Sequence, residues 1–599
     1  MLASALLLAG CGAASTTHRR LPLTPAGSFS SAPVACSGVS IYPSPGDRTA
    51  TPSSQVSLQD LAAGLAQPAT VTVVGSESGT HQGRWVADSS GHGASFYPSR
   101  PFTAGEKVTV KTDFSICGAK GDTAHFWVAE PAPTASGEAS SAPTPPTPAR
   151  DVQHFRSAPS LQPPVLEVTK ADKSAEGDFL LAPKGGSRAG GPMIVNGSGQ
   201  LVWFDPLPLG VNSSDLRVQQ FEGQNVLTWW QGKIINGTGY GEDVIMNSRY
   251  QVLAVVHAAN GLSADLHEFL LGPGGTAWIT SYQSVGWDLR SVGGPKDAAV
   301  YDSVVQELDI ATGNVLFRWS SLTHVSPKLS VISYDPSSTA PYDPFHVNSI
   351  SPSGHGTVLI SSRNTDAVYL VDEATGQTLW RLGGKESDFA MGPGTAFALQ
   401  HDAELRGTSY LTVFDDEDRT GSGPPARALA LRLNFRTGAA SLVWARMAPG
   451  HPLVPYQGNV QLLGDGDVVT GWGSAPGSPT TEFDASGGVV FEAHFVPAAV
   501  NSYRAYRSPW AGAPLTPPAL TVRASGEGIS VYVSWNGATS VSRWRLLGGS
   551  SSDSLRPLTT VKMTGFETRL SYGHGVKVVA VQALGRSGQV LGQSAVVPA

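Results

Sequence analysis

Short apolar runs alternate with polar ones along nearly the whole chain, and the period is two. Between Ser37 and Val128 the runs ATVTVVGS, GRWVADSS, ASFYPSR, EKVTVKTDFSIC and AHFWVAE follow one another, separated by Gly, Pro and Ser. Alternation of this kind buries one face of a strand and wets the other, and it predicts a small antiparallel β-sandwich over residues 31–128. Residues 129–150 lose the alternation, become rich in Pro, Ala and Ser, and predict an extended linker.

Beyond Val165 the pattern becomes repetitive. An Asn or Asp, a Gly-containing turn and an apolar pair ending in an aromatic residue recur as NGSGQLVW, DIATGNVLFRW, DEATGQTLW, NFRTGAASLVW and DASGGVVF, which end at Trp203, Trp319, Trp380, Trp444 and Phe491. A weaker copy, NSRYQVLAVV, ends at Val256. Intervals of roughly fifty to sixty residues suit radial sheets of about four strands, and six copies predict a six-bladed β-propeller over residues 151–510. From 514 to 599 simple alternation returns (ISVYVSW, FETRLSY, VKVVAVQAL), which predicts a second small sandwich. The fold class is therefore all-β, a propeller flanked by two immunoglobulin-like or fibronectin III-like domains.

Composition agrees with a turn-rich β protein: 15% charged residues, 68 Gly and 44 Pro in 599 residues. A net charge of −7 with scattered Lys and Arg gives no reason to expect nucleic acid as a partner.

The first eleven residues, MLASALLLAGC, form an apolar run ending in Leu-Ala-Gly-Cys, which resembles a bacterial lipobox with Cys11 as the lipidated residue. No Lys or Arg precedes the run, a departure from secretory signals. Residues 1–11 predict a lipoprotein-type signal, with a plain cleaved signal as the alternative, and 12–30 a tether. Either way the chain is expected to be exported, anchored by its N-terminal lipid to the outer face of a bacterial cell membrane or secreted. Cys36 and Cys117 remain as an even pair suited to one disulfide, the alternative being two buried thiols.

Chemistry concentrates between Tyr342 and Asp418. His267, His346 and His401 each stand just before a strand hairpin at one phase of the repeat. Equivalent positions of successive blades converge on one channel, so a shared phase argues for a shared site. Arg363 adds a planar fork suited to tetrahedral oxyanions. Asn348, two residues after His346, falls on the same strand face. Asp265 and Glu268 are candidates to orient the imidazoles. Trp229, Trp230 and Tyr282 suit an aromatic pocket, though blade core is the commoner role. DDED at 415–418 lacks the spacing of a calcium loop and reads as a solvated loop. No metal site is predicted.

The order DLHEF, FHVNSI, LISSRN, WRLGG, LQHDAEL and VFDD resembles the arylsulfotransferase family, in the branch common in actinobacteria and fungi. The resemblance spans residues 151–510 and leaves the flanking sandwiches outside it. It implies an enzyme that moves a sulfuryl group from a phenolic sulfate ester to a phenol, without a nucleotide donor or any cofactor, through a sulfohistidine. By that resemblance His401 of the QHD motif is the nucleophile, His267, His346 and Arg363 are catalytic, and Asn348 binds the sulfuryl group. The implied partners are a small aryl sulfate donor and a phenol acceptor. A non-catalytic propeller binding a sulfated or phenolic ligand, or an envelope partner, is the alternative. A quinoprotein-type propeller shares the D-x-x-T-G-x-x-L-W pattern but gives no reason for three histidines in phase.

Overall fold

The computed structural model describes residues 33, 36–61, 70–132, 151–172, 176–185, 190–416, 425–496 and 498–599. Cys11, the tether, the linker from 133 to 150 and two of the acids of DDED, Glu417 and Asp418, lie outside the described residues. Among those described the only α-helix is the four-residue turn Ser321–His324, and no helix is long and apolar enough to cross a membrane.

Six sheets follow one another between Leu166 and Ser508, antiparallel but for the short outer strand Ala390–Met391 of the fifth, which runs parallel to its neighbour. Their first strands are Asn501–Ser508, Asn212–Phe221, Phe269–Gly272, Val347–Pro352, His401–Arg406 and Asn459–Leu462. The sheets pack on one another through apolar clusters: Trp203 and Trp229 join the first to the second, one cluster spans the second, third and fourth, and Trp380 with Leu429 joins the fourth to the fifth. Phe491 stacks on Phe179 and joins the last sheet to the first, so the series closes into a ring. Closure uses both ends of the segment. The late strand Asn501–Ser508 pairs with the early Asp178–Lys184, and the early strand Leu166–Ala171 pairs with the late Val489–Phe495.

The recurring signature is the hairpin between the third and fourth strands of every sheet. Its leading Asn or Asp takes a backbone N–H from two or more residues on. Asn196 accepts from Ser198, Asn247 from Arg249, Asp309 from Ala311, Asp372 from Thr375, Asn434 from Arg436 and Asp484 from Gly488. This is the Asx turn, and it favours a left-handed residue just beyond. That residue is Gly in five copies and Tyr250 (φ 62°) in the weak one, which accounts for its weaker pattern.

Before the ring stand two four-stranded sheets, Ser40–Tyr42 with Val56–Gln59, Gly93–Pro98 and Gly83–Ala87, and Gly79–Thr80 with Thr72–Gly75, Lys107–Lys111 and Thr123–Trp127. One cluster including Ile41, Leu58, Phe96, Val108 and Phe126 fills the space between them. Cys36 and Cys117 form a disulfide across 81 residues. The unit is seated on the third sheet by the buried Arg318–Asp47 pair and by Asn314 Nδ2 donating to Asp88 Oδ1 at 2.6 Å. After the ring, three-stranded and five-stranded sheets share a core around Trp544, Val531 and Val581. Asn536 pairs with the backbone of Phe204 in both directions, at 2.9 and 3.1 Å.

Candidate active site

The ring brings together His267, His346, His401, Asn348 and Arg363. The rings of His267 and His346 lie 5.0 Å apart edge to face, and Tyr503 stands 5.5 Å from His267 and 6.1 Å from His401. Tyr282 is 5.6 Å from His346 and 6.0 Å from His267 but belongs, like Trp229 and Trp230, to an apolar cluster, and its hydroxyl donates to the Val347 carbonyl at 2.6 Å.

All three imidazoles are held in the same way. His401 Nδ1 meets Asp416 Oδ2 at 2.6 Å, His346 Nδ1 meets Asp343 Oδ2 at 2.5 Å, and His267 Nδ1 meets Asp265 Oδ2. A carboxylate accepts only, so each Nδ1 carries the hydrogen, and in a neutral ring Nε2 is then the nitrogen with the lone pair. His401 Nε2 takes a long bond of 3.4 Å from the Gln457 backbone N–H. Asp265 was legible as an orienting acid. Asp416 contradicts the solvated-loop reading of DDED: it and Asp415 are fully buried, because the strand Tyr410–Asp415 runs beside His401–Arg406 and delivers them inward. Glu268 orients no imidazole and pairs with Arg504 and Arg217.

The approach to these positions is strained. His346 has φ 58°, Asp402 49° and Leu399 52°, left-handed values that cost L residues about 1–3 kcal/mol each. The strand registers slip between Val347 and Ser349 and between His401 and Glu404. A bulge breaks the alternation of faces, so His401 and Asp402 both point inward where a regular strand would turn one away.

Arg363 opens a 3-10 turn one residue after its strand ends at Ser362. Its Nη1 donates to Asn364 Oδ1 at 3.0 Å and its Nη2 to the Pro455 carbonyl at 3.3 Å, not to Asp366 or Asp402. Asn348 is fully buried, gives one amide hydrogen to the Gln400 carbonyl at 2.6 Å, and leaves its Oδ1 without a partner.

Burial pushes the His401 imidazole well below its ordinary range, and Arg363 pushes it further. Burial also lowers His346, against the opposing pull of Asp343. Burial raises Asp416, while Arg363 acts to keep it ionised. At neutral pH the site therefore holds the neutral imidazoles of His346 and His401 beside the Arg363 guanidinium, a set able to attack an electrophile and balance an anion.

The hairpin between Gln224–Ile235 and Thr238–Met246 arches over the site. Its Gly237, at φ 82°, comes so close that an added Cβ would lie 3.9 Å from His346 Cε1. Gly239 N–H donates to Asp265 Oδ1, and Tyr240 and Tyr301 face each other with hydroxyls 3.4 Å apart.

Residues 217–496 match the family model described as Arylsulfotransferase (ASST). Comparison with curated proteins gives no match. Among solved structures, the quinohemoprotein alcohol dehydrogenase of Comamonas testosteroni is similar at 13% identity over 64% of this chain and 65% of that one, with a TM-score of 0.26. The Kuenenia stuttgartiensis hydrazine synthase is similar at 11% identity over 55% and 65% (TM-score 0.22). An auxiliary nutrient binding protein of Bacteroides ovatus ATCC 8483 is similar at 9% over 83% and 94% (TM-score 0.28). The chain thus spans just under two thirds of the first two proteins, and likenesses at these TM-scores carry no conclusion about function.

Proposed function

Since residues 217–496 belong to the arylsulfotransferase family, we propose that the protein transfers a sulfuryl group from a phenolic sulfate ester to a phenolic acceptor through a sulfohistidine on His401, without a nucleotide donor. The observation that carries this reading is the common holding of His267, His346 and His401, each with Nδ1 on a carboxylate, with His401 Nε2 engaged only by a long 3.4 Å bond from the Gln457 N–H.

In the first half-reaction the His401 Nε2 lone pair forms the N–S bond while the S–O bond to the aryl group breaks, and the electron pair leaves on the phenolate oxygen. The imidazole becomes cationic, and Asp416 at 2.6 Å offsets that charge. By analogy with phosphoryl transfer the transition state is loose, so the work is positioning and charge balance. Arg363, the free amide hydrogen of Asn348 and the other imidazoles supply them. In the second half-reaction His346 Nε2 takes the proton of the acceptor phenol as its oxygen attacks sulfur, and the N–S bond returns its pair to His401. The proton held on His346 then goes to the next departing phenolate. Tyr240, Tyr282 and Tyr301 supply an aromatic wall for the acceptor. Covalent capture predicts ping-pong kinetics.

The same reading takes the six sheets as blades of a propeller over residues 151–510 and the outer sheet pairs, within 31–128 and 514–599, as β-sandwiches. It also takes residues 1–11 as an export signal ending in a lipidated Cys11, which places the enzyme outside the cell membrane.

The test is incubation of the purified protein with 4-nitrophenyl sulfate and a phenol, followed by intact mass. A sulfuryl adduct that is absent in His401→Ala supports the reading. No adduct and no turnover across several aryl sulfate donors would overturn it.

A further inference from the structure

Arg504 lies beyond the matched segment, on the strand Asn501–Ser508 that closes the ring. Its side chain is 0% exposed, yet it reaches four other sheets or the segments that lead into them. Nη1 lies 2.8 Å from Glu268 Oε1, 3.2 Å from Asp215 Oδ1 and 3.5 Å from Asp402 Oδ1, and Nη2 lies 3.0 Å from Glu268 Oε2 and 3.1 Å from the Asn348 carbonyl oxygen.

The order of these partners along the chain is informative. Glu268 follows His267, Asn348 stands two residues after His346, and Asp402 follows His401. One guanidinium therefore touches the immediate neighbourhood of each histidine. Tyr503, the preceding residue, packs between His267 and His401 and donates its hydroxyl to the same Asn348 carbonyl at 3.2 Å. Arg217 braces the cluster, with Nη2 at 2.6 Å from both Asp215 and Glu268.

Buried charge is a costly way to fill space, and apolar side chains of similar volume commonly give equal or greater stability. What a guanidinium adds is direction: a rigid planar fork fixes where its acceptors sit, which a greasy contact does not. The left-handed residues Asp215 and Asp402, both partners of Arg504, need such external ties to hold their strained backbone.

We infer that Arg504 is the positioning residue of the site, setting the mutual placement of His267, Asn348 and His401 through Glu268, the Asn348 carbonyl and Asp402. It touches no reacting atom. The inference rests on the sulfotransferase reading above, and it extends the machinery beyond the matched segment to the closing strand.

The experiment compares wild type with Arg504→Gln, Arg504→Lys and the charge-balanced Glu268→Gln/Arg504→Gln. Two readouts are taken: the rate of sulfuryl-enzyme formation from 4-nitrophenyl sulfate per mole of folded protein, and the melting temperature. Misplacing reacting groups by about 1 Å costs on the order of a hundredfold, and Arg504→Gln is expected to lose about that much. Arg504→Lys and the double variant are expected to recover melting temperature while their rates stay low. A rate that returns to within about threefold of wild type along with the melting temperature would assign Arg504 to stability alone and overturn the inference. If Arg504→Gln fails to fold, the other two variants carry the comparison. Absence of any adduct in wild type would instead sink the sulfotransferase reading and, with it, this one.

Discussion

Asp416→Asn is the sharpest perturbation of the site, since it changes one atom and little volume. Asp416 is 0% exposed, its partner His401 2%, and the two are joined at 2.6 Å. When His401 Nε2 bonds to sulfur, the ring gains a positive charge about 4 Å from the carboxylate centre. With an effective dielectric near 20, that attraction amounts to about 4 kcal/mol. At about 1.36 kcal/mol per decade, its loss slows sulfuryl-enzyme formation by about a thousandfold. Asn adds a second defect: its NH2 group can donate to Nδ1, which moves the ring hydrogen to Nε2 and removes the nucleophilic lone pair. Single-turnover release of 4-nitrophenolate, with intact mass on quenched samples, measures the step directly. A rate for Asp416→Asn within threefold of wild type would refute both the assignment of the nucleophile and the electrostatic argument.

Other outcomes follow from the same geometry. Arg363→Lys keeps the charge but loses the planar fork, and it is expected to slow adduct formation by about ten- to a hundredfold, checked by the same single-turnover assay. Burial and Arg363 both depress His401, so the imidazole stays neutral as pH falls through 6.5, and the rate of adduct formation should hold its plateau below that value. Arg363→Met removes one depressing cause and should move the acid limb of the pH–rate profile upward. For stability the sign is the reverse of a gained pair: the unfolded His401 binds its proton first, so this residue makes the fold less stable as pH drops below about 6.5. Reducing Cys36–Cys117, which closes a loop of 81 residues, should destabilise the N-terminal unit by about 4.5 kcal/mol in the loop-entropy picture. Calorimetry with and without reductant checks it. Asp47→Ala leaves Arg318 buried without its carboxylate, at a cost of about 3–5 kcal/mol, and limited proteolysis should then cut the N-terminal unit from the ring.

The parts of this site that could be read from the sequence are those carried by a local repeat. The signature hairpins announce themselves because an Asx turn needs its Asn or Asp and its left-handed Gly within a few residues. The three histidines share a phase because each stands at, or within two residues before, the start of a first strand. Asp265 was visible because it lies two residues from His267. Asp416 was not, since nothing local distinguishes an acid buried beside His401 from one in a wet acidic loop; the pairing of Tyr410–Asp415 with His401–Arg406 decides that. Asp343, three residues before His346, gave no pattern of its own. Tyr503 and Gln457 were out of reach because they meet the histidines from 56 to more than 200 residues away in sequence, and Arg504 because it meets only the histidines' neighbours from as far. The strand before Arg363 ends at Ser362, so its guanidinium leaves from a turn and reaches Pro455, which no local pattern announces.

The two-ended closure of the ring has a consequence for how the chain is made. A ribosome delivers the imidazoles of His267, His346 and His401 well before Asn501–Ser508 emerges, and Leu166–Ala171 must wait for Val489–Phe495 before it finds its partner. Until residue 508 is available, the nascent chain has its candidate histidines but neither the closing strand nor the Arg504 guanidinium. The closing strand is thus the last part of the ring to be made, and a chain cut short between His401 and Asn501 holds every candidate histidine in a ring that stays open.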